Sequence, residues 1–414
     1  MRKITSGEDQ LSFHPLPKRP GERLSIHVMN TAQSPGPPEF CYRGILRMLT
    51  SEQLLRLTTF QYSHVRPWAV PDRVIRCRAG GYVASYLVKC LLKKGYRVRG
   101  TVRDPANSTK TKHLRDLPGA EERLELVGAD LLVEGSFDAA VEGCVGVFHT
   151  ASPVVFPKVD PYVEMVEPAI KGTINVLKSC VKAGVKKVVL TSSSSAFRMR
   201  PDYTADVPLD ETSWSSVEFC KKVQLWYALA KTMAEEAAWD FAKETGLNMV
   251  SVLPTYIIGE IVPPELSTTS QDVLGLFNGK AGNFAKFGRM GYVHVDDVAT
   301  AHILVYEHPE AEGRYIVSGV TLENYEMAEM LAKRYPQYVV PKIEPGAGMP
   351  YYNIDVSKLA KLGLDKYKPI EEAFDDVVES FKQKGVCELQ NSLGQPILQS
   401  RKHGICLKLT TGQI

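Results

Sequence analysis

Between Val188 and Lys231 the chain gathers three side-chain types that could together move a proton. The apolar run VVLT opens into Ser192, Ser193, Ser194 and Ser195, and the segment LWYALAK places Tyr227 and Lys231 four residues apart. Residues four apart share one face of a helix. A free phenol has a pKa near 10, so it needs a nearby cation to exchange a proton near neutrality, and Lys231, one turn on, supplies one. In an extended run Thr191, Ser193 and Ser195 share one face and Ser192 and Ser194 the other, so only one set can meet the phenol. Tyr-x-x-x-Lys also arises by chance on surface helices, and the pair gains meaning only from the elements that position it.

Those elements begin at Val74. VIRC, YRVRGTVRDP, RLELVGAD, GVFHTASP and VVLTSSSS read as strands. They alternate with the helical patterns GYVASYLVKCLLKKG, TKHLRDL, EMVEPAIKGTINVLKSCVKAG and LWYALAKTMAEEAAWDFAKE. Such alternation predicts an α/β fold, a Rossmann-type doubly wound parallel sheet whose ligands bind at the carboxyl ends of the strands. NMVSVLPTYIIG gives one further strand. Then the pattern loosens through VPPEL, GYVHV, DDVATAHILVYEH, RYIVSG, NYEMAEMLAKRY and IEEAFDDVVESFKQKG into a smaller C-terminal substrate lobe. The expected organisation is an NADP-binding domain over 73–255 and a mainly substrate-binding lobe over 256–385. Residues 1–72, with eight of the 26 prolines and the single helical candidate GILRMLTSEQLLRL, read as disordered or as a non-native extension, and 386–414 as an irregular tail.

Several nucleotide-binding features sit at predicted strand ends. In RAGGYVASYL, Gly80 and Gly81 open a helix, as a pyrophosphate needs, although Arg78 stands where the first glycine of a GxxGxxA pattern would be. A generic strand-to-helix turn accounts for the fragment equally well. Arg103 ends the second strand, with Lys110 seven residues on, and a basic residue there suits a 2′-phosphate, as a solvated loop would also explain. His294 and Asp297, in GYVHVDDVATAH, lack a second metal ligand at ligand spacing, so Asp296 or Asp297 is expected to cap the next helix.

Composition narrows the partners. Fifty Lys and Arg against 47 Asp and Glu leave a net charge of +3, which gives no footprint for nucleic acid. Cys41, Cys77, Cys90, Cys144, Cys180, Cys220, Cys387 and Cys406 form no CxxC pair, so neither a metal site nor a disulfide framework is expected, and the cytoplasm is the expected compartment. No stretch reaches the roughly 18 apolar residues of a membrane span.

From about Gly81 to Gly385 the chain resembles the extended short-chain dehydrogenase/reductases of plants, the group of dihydroflavonol reductases and cinnamoyl-CoA reductases. The matching text is GYVASYLVK, TVRDP, LVGADLLVEGSFD, GVFHTASP, KGTINVLKSC, VVLTSS, LWYALAK, AEEAAWDFAKE, GYVHVDDVATAHI and EGRY. The resemblance implies catalysis by Ser193, Tyr227 and Lys231 with NADPH, acting on a small-molecule carbonyl substrate. It implies cofactor contacts at Gly80, Gly81, Tyr82 and Val83 in the turn, and at Arg103 and Lys110 on the 2′-phosphate. Asp130 and Leu131 match the adenine contacts, Thr150, Ala151 and Ser152 the turn beneath the cofactor, and Pro254, Thr255, Tyr256 and Ile257 the nicotinamide side. Arg198 stands where dihydroflavonol reductases carry a flavonoid-binding Asn, and is the expected substrate contact. SSSSAFRMR, VPLDETSWSSVEFCKKVQLWYALAK and STTSQDVLGLFNGK look most like the tetraketide α-pyrone reductases on the route to sporopollenin. A cinnamoyl-CoA-type or aromatic aldehyde reductase, and a cofactor-impaired isoform without activity, remain the alternatives.

Overall fold

The structure is a computed structural model that describes residues 74–76, 79–152, 158–202, 204, 206–346 and 351–386. The expectations for 1–72 and 387–414, for the helical candidate GILRMLTSEQLLRL and for Arg78 fall outside the described residues.

Seven parallel strands form the main sheet, in the order β3-β2-β1-β4-β5-β6-β9. They are β1 (Val74–Arg76), β2 (Val98–Val102), β3 (Leu124–Gly128), β4 (Gly146–His149), β5 (Lys187–Thr191), β6 (Met249–Pro254) and β9 (Gly313–Val317). The strand order reverses between β1 and β4, which opens a crevice at their carboxyl ends. All residues of β4, β5 and β6 are buried, as strands covered on both faces require, whereas β3 at the edge has none fully buried.

The long helices are α1 (Tyr82–Lys93), α2 (Ser108–Arg115), α3 (Glu167–Lys182), α4 (Trp226–Thr245), α5 (Thr268–Phe277), α6 (Gly282–Phe287), α7 (Val295–Glu307), α8 (Asn324–Arg334) and α9 (Ile370–Gln383). α1 forms because Leu87, Val88, Leu91 and Leu92 recur on one face, and all four are fully buried. Each such side chain contributes about 1.5–3 kcal/mol by leaving water. α4 carries two rows at a spacing of four. Ala230, Ala234, Ala238 and Ala242 make a small, buried row on a helix that packs against α3, and Tyr227, Lys231, Glu235 and Trp239 make the other. Gly246 ends the helix in the left-handed region at φ 69°, which a residue with a Cβ adopts only under strain.

Two sequence expectations need correction. NMVSVLPTYIIG is two strands: β6 ends at Pro254, and β7 (Tyr256–Ile258) joins β8 (Arg289–His294) and β10 (Val320–Glu323) in a second sheet, ordered β10-β8-β7. Pro254 has no N–H to extend the ladder, and the Thr255 N–H bonds back to the Val317 carbonyl at 3.0 Å while the chain crosses between sheets. The cap of α7 is His294, neither Asp296 nor Asp297. Its Nδ1 accepts the Asp296 N–H at 2.9 Å and its Nε2 meets Asp376 at 3.0 Å, while Asp297 instead accepts the Lys368 N–H. The stretch 256–385 is also shared between layers, because β9 lies in the main sheet and α7 packs on α1, β5 and β6. No helix among the described residues is long and apolar enough to cross a membrane.

Candidate active site

β5 delivers the serines. Strand pairing stops after Thr191, Ser193 keeps an extended backbone (φ −164°, ψ 156°), and Ser194–Ala196 then turns as a 3-10 helix capped by the Ser193 hydroxyl at 3.1 Å. The alternation expected from the sequence therefore holds through Ser193 and fails at Ser195. Ser192 points the other way and donates to the buried Glu235 carboxylate at 2.6 Å. That leaves Ser193 as the serine that hydrogen-bonds the Tyr227 phenol.

The two α4 residues differ in setting. Tyr227 keeps 42% of its surface exposed, yet burial around its hydroxyl pushes its pKa above the ordinary 10.0, with the Ser193 hydrogen bond pulling the opposite way. Lys231 is 9% exposed, and burial lowers its ammonium to about 8 against the opposing pull of Glu235. Its Nζ donates to the Thr191 carbonyl at 3.1 Å, which leaves two of its three N–H donors without a partner among the described residues. Against the raising effect of burial, the Ser193 hydrogen bond is what lowers the Tyr227 pKa here. At neutral pH this site holds a protonated phenol beside a mostly charged amine.

The glycine turn lies beside the Arg103 turn. A Cβ added to Gly80 would come no nearer to its surroundings than 3.9 Å, at the Lys110 carbonyl in the first turn of α2. Gly81 is the N-cap of α1 with no side-chain cap, and no acid stands in that first turn. Arg103 and Lys110 are exposed, and neither holds a carboxylate partner among the described residues. Residues 79–318 match the NAD dependent epimerase/dehydratase family. The chain belongs to that family.

Among relatives of this epimerase/dehydratase chain, tetraketide alpha-pyrone reductase 1 of Arabidopsis thaliana is 52% identical over 308 residues, covering 74% of this chain and 94% of the relative. Cinnamoyl-CoA reductase CAD2 of Medicago truncatula is 44% identical, covering 75% and 96%. The crystal structure of the yeast methylglyoxal/isovaleraldehyde reductase Gre2 complexed with NADPH superimposes with a TM-score of 0.66 at 27% identity, covering 76% of this chain and 99% of that one. Like these reductases, the chain is an oxidoreductase, of the plant group that its motifs resemble.

A dinucleotide fits the donor set of this family member: a helix N-terminus without a side-chain cap for the pyrophosphate, and for a 2′-phosphate two exposed cations without a carboxylate partner among the described residues. Other side chains expected at the cofactor already hold protein partners. Tyr82 donates to the Gly259 carbonyl at 3.0 Å, Thr255 to the Val317 carbonyl at 3.3 Å, and Tyr256 to Asp272 at 3.1 Å. Asp130 accepts the Leu132 N–H, and Leu131 packs against the core with its carbonyl taken by Asn175. Val83 and Ile257 pack on the central core, Pro254 ends β6, Ala151 is buried, and Thr150 and Ser152 follow β4. Arg198 is buried five residues beyond Ser193.

Three residues escaped the sequence reading. Glu235, 1% exposed, accepts from Ser192, from Ser251 at 2.6 Å and from Arg314 at 2.9 Å. Arg314 reaches it from β9 and stacks 3.7 Å from the Trp214 ring. His149, fully buried at the end of β4, meets the Thr173 hydroxyl at 3.4 Å and has an Nδ1 without a partner among the described residues; burial, then Lys231, pushes its pKa down to about 3. Between about 3 and the ordinary 6.5 the unfolded chain holds a proton that the folded chain lacks, so stability is complete above 6.5 and is lost as pH falls toward 3. His149→Gln should flatten this acid limb in urea titrations between pH 7 and 4, and an unchanged limb would contradict the assignment.

Proposed function

We propose that the chain reduces the ketone of a tetraketide α-pyrone with NADPH. The supporting observation is the 52% identity to tetraketide alpha-pyrone reductase 1 across 94% of that protein, joined to a Ser193–Tyr227–Lys231 cluster at the end of β5.

Arg103 and Lys110 hold the 2′-phosphate, and the first turn of α1 holds the pyrophosphate. NADPH, when bound, supplies the hydride for the carbonyl carbon. Ser193 orients the carbonyl oxygen, and Tyr227 gives that oxygen its phenolic proton, which solvent replaces. The sum is ketone, NADPH and one proton giving secondary alcohol and NADP⁺. The raised pKa of Tyr227 suits this direction, because reduction needs the protonated phenol. Lys231 turns its remaining donors to the nicotinamide ribose.

The test sets three substrates side by side after fluorescence titrations with NADPH and NADH. Micromolar saturation by NADPH, weaker NADH binding and turnover highest on the pyrone are expected. Preference for a cinnamoyl-CoA thioester or an aromatic aldehyde would overturn the substrate. Absence of NADPH binding would favour the cofactor-impaired form.

A further inference from the structure

Arg198 is 6% exposed, and its Nη1 is buried without a hydrogen-bond partner among the described residues. Its surroundings are aromatic. The guanidinium lies 5.1 Å from the Phe287 ring centroid and 5.8 Å from that of Tyr352, and no carboxylate pairs with it among the described residues. Arginine is buried in folded proteins almost only when paired, because water that solvated the charge must be replaced. Cation–π contacts replace part of that solvation and leave the in-plane N–H donors unused.

Its position says what could use them. The Arg198 N–H bonds the Ser194 carbonyl just past the 3-10 turn, so the residue leaves the same loop that presents Ser193. Phe287 closes α6 and Tyr352 belongs to the C-terminal stretch, so the guanidinium sits between the catalytic loop and side chains from the substrate-lobe segment. A planar cation whose in-plane Nη1 has no partner among the described residues, set between aromatic walls, fits a flat, conjugated oxyanion.

We infer that Arg198 recognises an ionised ring enol on the substrate, and so selects an anionic conjugated ring over a neutral one. The inference rests on the proposed pyrone substrate and sharpens it. When a tetraketide closes to an α-pyrone, the ring takes three of its four oxygen-bearing carbons. The second of those becomes a ring enol that is a vinylogous carboxylic acid, and the fourth remains outside the ring as the ketone to be reduced. One molecule thus offers an oxyanion to Arg198 and a carbonyl to Tyr227.

The test separates recognition from turnover. Calorimetric titration of the NADP⁺-loaded full chain uses 4-hydroxy-6-methyl-2-pyrone and its 4-methoxy ether, which cannot ionise. The wild type should bind the hydroxy ring at least about tenfold tighter, as a charge-assisted hydrogen bond implies. That preference should fade as pH falls through the enol's own pKa. Arg198→Met should erase it, and Arg198→Lys should keep part of it. Equal affinities in the wild type, or a preference that survives in Arg198→Met, would overturn the inference. Thermal melting with and without NADP⁺ checks that both variants are folded. A protein that discriminates the two rings but does not reduce a tetraketide pyrone would retain the inference and lose the proposed reaction.

Discussion

Tyr227→Phe should lower kcat by about 10²–10⁴-fold, the span that a positioned general acid contributes. The phenylalanine ring preserves the shape of the first turn of α4, and the residues proposed to hold the nucleotide lie elsewhere, on α1 and at the end of β2. NADPH affinity should therefore stay within about twofold, which separates loss of chemistry from loss of binding. The hydroxyl removed is the one that burial holds protonated and that Ser193 hydrogen-bonds. Steady-state rates and a fluorescence titration on the same preparation decide it. Turnover within about tenfold of wild type would refute Tyr227 as the proton donor. Reduction by the wild type should also persist to alkaline pH, since the phenol's pKa lies above 10.0 and the acid form remains.

The second large effect concerns stability. Glu235→Ala should lower the unfolding free energy by about 3–5 kcal/mol, the usual consequence of removing one partner of a buried ion pair. Arg314, 7% exposed, would lose its carboxylate and keep the Glu211 and Ser213 carbonyls and the Trp214 ring, while Ser192 and Ser251 would lose their acceptor. Replacing the pair together, as Glu235→Leu with Arg314→Met, should recover most of the loss, because no uncompensated charge then stays buried. Chemical unfolding of the wild type, Glu235→Leu, Arg314→Met and the double variant gives the cycle. Equal losses in the single and double variants would show that packing, and not charge, holds this region.

The site was legible in the sequence wherever spacing carries geometry. Tyr227 and Lys231 at i and i+4 read directly as one helix face, and the strand-helix alternation read as a doubly wound sheet. Choosing among four serines was harder, because Ser195 leaves the strand for a 3-10 turn whose hydrogen bonds no local pattern announces. The passage from β6 to β7 was hidden by an unbroken apolar run, with Pro254 the lone hint. His294 was passed over as a cap because a ring nitrogen accepts an N–H just as the neighbouring aspartates could. Glu235 and Glu236 look alike in AEEAAW, yet only the first continues the Tyr227–Lys231 row into the interior. That spacing could have found it, but its partner Arg314 is 79 residues away in sequence.

The distance between those partners bears on how the protein comes into being. Synthesis delivers Ser193, Tyr227 and Lys231 well before Arg314, so a chain still emerging can wind α4 and order β5 and β6 while Glu235 has no guanidinium to receive it. Until β9 docks as the last strand of the sheet, closing the helix onto the strand ends would bury a lone carboxylate. The final strand is therefore the one that completes the Glu235 ion pair. A protein cut short before residue 314 would contain Ser193, Tyr227 and Lys231 and leave Glu235 without its guanidinium partner.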